Sequence, residues 1–147
     1  MTPQEARPEP VVEELDDDEC RRLLQTQTVG RLAVAVPGAA PHVVPVNYTT
    51  LRGSIVFRSA PGLKLEMLVD EPVSFEVDWW DEERRQGWSV LAQGLAYGAS
   101  DWEIEVEDVA LAPFVDRQNS RWVRLVPQSL TGRRIMQPSP QGSRPAP

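Results

Sequence analysis

The sequence predicts a mainly β domain with short helices, folded as a small antiparallel barrel, and three observations carry that expectation. Runs of alternating apolar and polar residues recur, most plainly Val73, Phe75, Val77 and Trp79 against Ser74, Glu76, Asp78 and Trp80, the pattern of a half-buried strand. Turn signals at Pro37-Gly38-Ala39-Ala40 and Leu51-Arg52-Gly53 join the first three β-prone runs into a meander. Helical patterns are confined to one end and one crossing, which leaves about six or seven antiparallel strands to close on themselves.

The elements follow in order. Three prolines in residues 1–10 and four in residues 138–147, mixed with Gly, Ser, Gln and Glu, mark both ends as disordered tails, 1–13 and 137–147, around one domain at 14–136. Asp16 to Glu19 then supply acids at the positive end of a helix dipole, ahead of Cys20, Leu23 and Leu24 at helical spacing, so a short amphipathic helix ends near Gln27. From Val29 the period shifts toward two, giving a strand through Val36, a hairpin into His42 to Thr50, and a third strand over Ser54 to Arg58. Pro61-Gly62 opens a second short helix through Leu68. After the alternating strand at 73–80, Asp81 to Arg85 form a solvated turn, and Gly87 to Tyr97 read as a long strand whose Gly94 signals a bulge or a close backbone approach. Residues 101–112 fit strand or helix equally. Arg121 to Val126 alternate again, and Ser129 to Ile135 form a final strand.

Composition excludes several classes. With 147 residues, one domain is expected. A net charge of −7 repels polyanions, so no nucleic-acid partner is expected. The single Cys20 can form neither an intrachain disulfide nor a thiolate zinc cluster, and His42 alone cannot build a His-based metal site or a Ser-His-Asp triad, so no metal is expected. No apolar run reaches membrane-spanning length and the N-terminus is polar and acidic, so the expectation is a cytoplasmic protein without a membrane partner. Of the 15 cations only Lys64 is a lysine.

Chemistry concentrates in Phe57-Arg58-Ser59-Ala60-Pro61-Gly62-Leu63-Lys64. A strand ends at Arg58, small residues turn the chain, and a helix opens with the lone lysine in its first turn. Guanidinium, hydroxyl, helix N–H groups and a second cation are the parts of a phosphate site, although the same residues also suit an ordinary β–α turn. Neither a Gly-x-Gly-x-x-Gly nor a Walker pattern is present. Upstream, Pro45 sits mid-strand in Val44-Pro45-Val46-Asn47, where a missing amide donor points to a sheet edge or bulge whose backbone can meet a flat polar ring, or simply to an edge protected by proline. Trp88-Ser89 pairs an aromatic surface with a hydroxyl, and five tryptophans in one chain mark a core or a subunit interface more often than a cofactor site. Glu76 and Asp78 share one strand face, a geometry open to acid–base work or to plain solvation.

Taken together, Val29-Gly30-Arg31-Leu32-Ala33-Val34, Val44-Pro45-Val46-Asn47-Tyr48, Phe57-Arg58-Ser59-x-x-Gly62-x-Lys64, Phe75-Glu76-Val77-Asp78, Gly87-Trp88-Ser89-Val90 and Gly132-Arg133-Arg134 stand in an order that resembles the pyridoxamine 5'-phosphate oxidase-like family of FMN-binding split β-barrel flavoproteins, over about residues 14–136. The resemblance implies a homodimer with FMN in grooves between subunits and a flavin-dependent oxidoreductase acting on a small-molecule substrate. By that similarity Arg58, Ser59 and Lys64 hold the FMN phosphate, Val44, Pro45, Val46 and Asn47 line the isoalloxazine, and Trp88 and Ser89 come from the facing subunit. The chain lacks the C-terminal Arg-Leu-x-Pro-type segment of authentic pyridoxamine phosphate oxidases and ends its last strand at Leu130-Thr131-Gly132-Arg133-Arg134-Ile135, so the resemblance does not extend to vitamin B6 oxidation. It leaves open a deazaflavin cofactor, or haem with His42 as its sole histidine, and a non-catalytic protein that binds or sequesters such a ligand.

Overall fold

The computed structural model describes residues 9–58, 68, 70–99 and 122–138. Chain order is β1 (Val11–Leu15), α1 (Asp17–Leu24), β2 (Val29–Val34), β3 (His42–Leu51), β4 (Ser54–Arg58), β5 (Pro72–Asp81), β6 (Gln86–Ala99) and β7 (Trp122–Met136). All pairings are antiparallel in the order β1-β7-β4-β3-β2-β5-β6, and β6 pairs with β7 as well. Strands β2 to β7 therefore close a six-stranded barrel, and β1 is added outside β7. The split-barrel architecture expected from the sequence is the one observed.

Period-two patterning fills the barrel. Leu32, Val46, Tyr48, Ile55, Phe57, Val73, Phe75, Val77, Val90, Val123 and Leu125 point inward and are buried. Phe75 is the hub, edge-on to Tyr48 at 5.1 Å and stacked near Phe57 at 6.1 Å. Burying each such side chain contributes about 1.5–3 kcal/mol. The ring of Phe75 occupies the space above Gly30, where an added Cβ would lie 2.2 Å from Cζ.

Helix α1 closes one end of the barrel. Asp16 caps it by accepting from the Glu19 amide at 2.8 Å, and Asp17, Asp18 and Glu19 against Arg21 and Arg22 complement its dipole. Its apolar face, Cys20, Leu23 and Leu24, joins the core, and the buried Tyr48 hydroxyl donates to the Leu24 carbonyl. The helix stops at Leu24, three residues before the expected end, because the Gln25 amide turns back to the Arg22 and Leu23 carbonyls.

Two further expectations change. Residues 11–13, read as tail, are the first three residues of β1, which pairs Val11 to Leu15 with Met136 to Gly132. Two valines followed by two glutamates are too short a pattern to show a strand; the partner shows it, since Glu13 lies opposite Arg134 with a 3.8 Å ion pair. From Trp122 on, the runs expected at 121–126 and 129–135 are one strand, β7, with Pro127 at a bulge opposite Gln93/Gly94. Gly94 fulfils its sequence reading there, as an added Cβ would stand 2.0 Å from the Val126 carbonyl oxygen. The second helix expected at 61–68, apart from Leu68, and the ambiguous segment 101–112 lie outside the described residues.

Candidate functional site

β3 changes partner midway. His42 to Asn47 pair with β2, whereas Tyr48 to Leu51 pair with β4. The first half of the strand thus leaves its β4-side edge without a strand among the described residues, and this is the stretch that holds Val44, Pro45, Val46 and Asn47. The proline expected at an edge is at one. Exposed Pro45 and half-buried Asn47 point outward; Val46 is buried in the core and half-buried Val44 packs against it. Val46 therefore meets a ligand only through its backbone.

The β3–β4 ladder ends at Tyr48 and Phe57, so Asn47 and Arg58 are the next residues on facing strands. Arg58 pairs with Trp122 across β7, and its guanidinium carbon lies 4.4 Å from the indole centroid, a cation–π contact that holds it at the mouth of the open edge. Ser59 and Lys64, the other two phosphate candidates, lie outside the described residues.

Two buried polar atoms here have no hydrogen-bond partner among the described residues, Asn47 Oδ1 and Trp122 Nε1. Asn47 Nδ2 reaches the Thr28 carbonyl only at 3.5 Å, and that oxygen already accepts from the Tyr48 amide at 3.0 Å. An acceptor and a donor shut away from water beside a guanidinium are costly unless a ligand completes them. The open edge, the orphaned acceptor on it and the cation at its base fit a planar ring with an N–H group and an anionic tail.

Arg31 lies on β2, directly opposite Pro45 on the paired side of β3, one strand away from the open edge. It binds Glu76 at 2.9 Å and Asp78 at 3.0 Å, so the acid pair is an ion-paired network. Burial pushes the Glu76 carboxyl up, with a hydrogen bond to Asp78 adding to it and Arg31 opposing it. Arg31 and Trp122 were not recognisable as site residues in the sequence. Alternation marks both as strand positions, but only register sets one beside Pro45 and the other beside Arg58.

Trp88 and Ser89 stand elsewhere in the same chain. Both are on β6, with β5 and β2 between them and β3. Trp88 packs on the core, and Ser89 lines an outer cleft of about 500 Å³ with Glu14, Glu76, Leu91, Thr131 and Arg133. His42 is exposed at the start of β3. No helix among the described residues is long and apolar enough to cross a membrane.

The profile of the pyridoxamine 5'-phosphate oxidase family matches residues 16–134. An uncharacterised protein of Mycobacterium tuberculosis is 35% identical over 142 residues, which cover 92% of this chain and 91% of that protein. The structure of the FAD-binding protein from Mycobacterium smegmatis superposes with a TM-score of 0.70 at 32% identity, over 86% of this chain and 98% of that one. A FAD-binding protein from Mesorhizobium loti gives 0.69 at 25% identity, again over 86% and 98% of the two chains.

Proposed function

The chain belongs to the pyridoxamine 5'-phosphate oxidase family, and from that premise we propose that it is an FMN-binding oxidoreductase acting on a small molecule as a homodimer with the cofactor at the subunit interface. One observation carries the reading: at Asn47, where β3 leaves its β4-side edge open and Arg58 is the next residue on the facing strand, a buried Oδ1 has no partner among the described residues. The flavin, when bound, supplies the hydride or electron chemistry, and the protein supplies anchoring and electrostatics. Backbone groups of Val44 to Asn47 hold the ring edge, and Asn47 Oδ1 accepts from a ring N–H. Arg58 and the Trp122 indole N–H, with Ser59 and Lys64, meet the phosphate. Arg31, tied to Glu76 and Asp78, holds its place opposite Pro45 on the strand behind the ring edge. The FAD-binding relatives support a flavin, since FAD contains the whole of FMN.

The separation of Trp88 and Ser89 from β3 within one chain supports the homodimer, given the place the family resemblance assigns them at the cofactor. A second copy brings them to the ring, and a groove so shared needs an interface above about 1,000 Å² in total. A second reading, a protein that binds or sequesters a flavin, deazaflavin or haem without catalysis, is favoured by relatives named for binding alone. Rapid bleaching of bound flavin by NADH or NADPH favours the enzyme, and indifference to every reductant favours the binder.

The site itself is tested by Arg58→Ala with Lys64→Ala, titrated with FMN and with riboflavin, which has no phosphate. FMN affinity falls by about 1.5–3 kcal/mol per lost charge-assisted hydrogen bond and riboflavin affinity holds. An unchanged FMN affinity refutes the phosphate assignment.

A further inference from the structure

The second half of β3 mirrors the first. Tyr48 to Leu51 pair with β4, so their opposite edge, on the β2 side, has no strand partner among the described residues. Gln25 to Thr28, the chain leaving α1, run past that edge. Between them lies a polar groove of about 500 Å³, lined by Gln25, Gln27, Thr28, Thr49 and Thr50. Gln25 and Thr50 also line an adjoining pocket of about 190 Å³, where Arg21 from α1 and Arg52 from the β3–β4 turn converge. Groove and pocket therefore share the walls formed by Gln25 and Thr50, and two arginines line the pocket. We propose that this groove is a second ligand site, one for a phosphorylated polyol such as a sugar phosphate, with the phosphate between Arg21 and Arg52 and the hydroxyls along the glutamine and threonine side chains.

Chemistry and position both support it. Hydroxyls and primary amides offer donors and acceptors together, as a polyol requires. The one aromatic lining residue, Tyr48, is almost wholly buried and its hydroxyl is committed to Leu24, which leaves no ring face for a nucleobase. The carbonyls at the end of α1, which would repel an anion, are already used: Arg22 O accepts from the Gln25 amide and Leu23 O from the Thr26 amide and hydroxyl. Arg52 has no ion pair among the described residues, and Arg21 shares its charge with Asp17 at 2.7 Å, so the pocket keeps a net positive charge in a chain of net −7. Guanidinium pairs of this kind suit phosphate oxygens. Arg52 stands in a tight turn of left-handed backbone, φ 51° with Gly53 at 83°, and lines the pocket from there. Arg52 and Arg58 flank opposite ends of β4, roughly 16 Å of strand at about 3.3 Å per residue, so this is not the phosphate position at Arg58.

The test is calorimetric titration of the full chain, saturated with FMN, with ribose 5-phosphate, ribose and inorganic phosphate as separate probes. Ribose 5-phosphate binds more tightly than either fragment and shifts the backbone amide resonances of Gln25, Gln27, Thr28, Thr49 and Thr50. Arg21→Gln with Arg52→Gln weakens it by about tenfold or more, whereas Arg84→Gln with Arg85→Gln, an equal charge change on the β5–β6 turn, leaves it unaltered. Thermal unfolding of both variants establishes that they fold. Absence of binding at millimolar ribose 5-phosphate, equal loss in both variants, or shifts centred on Arg58 would overturn the proposal. If the chain takes up no FMN, the same titration on the free protein still decides it, because shifts at Gln25 to Thr28 and at Arg58 are separable.

Discussion

Asn47→Leu separates what this residue costs the fold from what it gives the ligand. In the free protein the Oδ1 acceptor is buried without a partner among the described residues, a penalty of about 1–3 kcal/mol, and the 3.5 Å approach of Nδ2 to the Thr28 carbonyl returns almost nothing. Leucine removes the orphaned acceptor at similar volume and suits a strand better than asparagine. Half of the side-chain environment is open, so the gain is taken at the low end, about 1 kcal/mol, or roughly 2–4 °C in Tm for a chain of this size. The ligand responds in the opposite sense. With Oδ1 gone, a ring N–H is buried unsatisfied, costing about 1–3 kcal/mol, or roughly five- to 150-fold in Kd. Urea unfolding of flavin-free protein and fluorescence titration with FMN measure the two quantities independently. A variant less stable than the parent that binds FMN equally well would refute the reasoning, since the unsatisfied acceptor would then be neither a cost to the fold nor a contact for the cofactor.

Other perturbations follow from the same geometry. Trp122→Phe keeps a ring under Arg58 and deletes the unpaired indole N–H, so it reduces the preference for FMN over riboflavin; an unchanged ratio removes Trp122 from the phosphate site. Gly94→Ala drives a Cβ to within 2.0 Å of the Val126 carbonyl oxygen and 3.0 Å of the Gln128 amide nitrogen, both backbone, and costs about 1–3 kcal/mol by denaturant unfolding. Stability equal to the parent's would show that the bulge opens freely. Glu19 binds Arg22 and Arg134, and those guanidiniums lower its carboxyl from 4.5 to about 2. A depressed carboxylate stabilises fully above its unfolded pKa and loses that contribution as pH falls from about 4.5 through about 2, so the Tm advantage over Glu19→Gln is constant above about pH 5 and closes toward pH 2. A gap independent of pH would contradict the pairing.

Much of the barrel was legible because period-two burial is a local signal. Val73 to Trp79 alternate in the sequence and in the structure through Val77, and Gly94 announced its bulge through the absence of a side chain. Pro45 announced its edge through the absence of an amide. What escaped depends on contacts distant in sequence. β1 is recognisable only once Arg134 stands opposite Glu13, 121 positions away. The join across Pro127 needs the partner strand that absorbs the extra residue. The same limit divides the site: Arg58 and Asn47 carried their chemistry in residue type and local turn signals, whereas Arg31 and Trp122 acquire theirs from cross-strand register. The exchange of partners by β3 at Asn47, which leaves one edge open on the β4 side and another beside α1, has no signature in the local pattern of that strand.

The central claim, a flavin held at the free edge of β3, is tested most directly by the visible absorption spectrum of the protein as purified, with mass spectrometry of any small molecule released on denaturation. A flavin spectrum and release of FMN are the expected result. A colourless protein that also takes up no added FMN would contradict the claim.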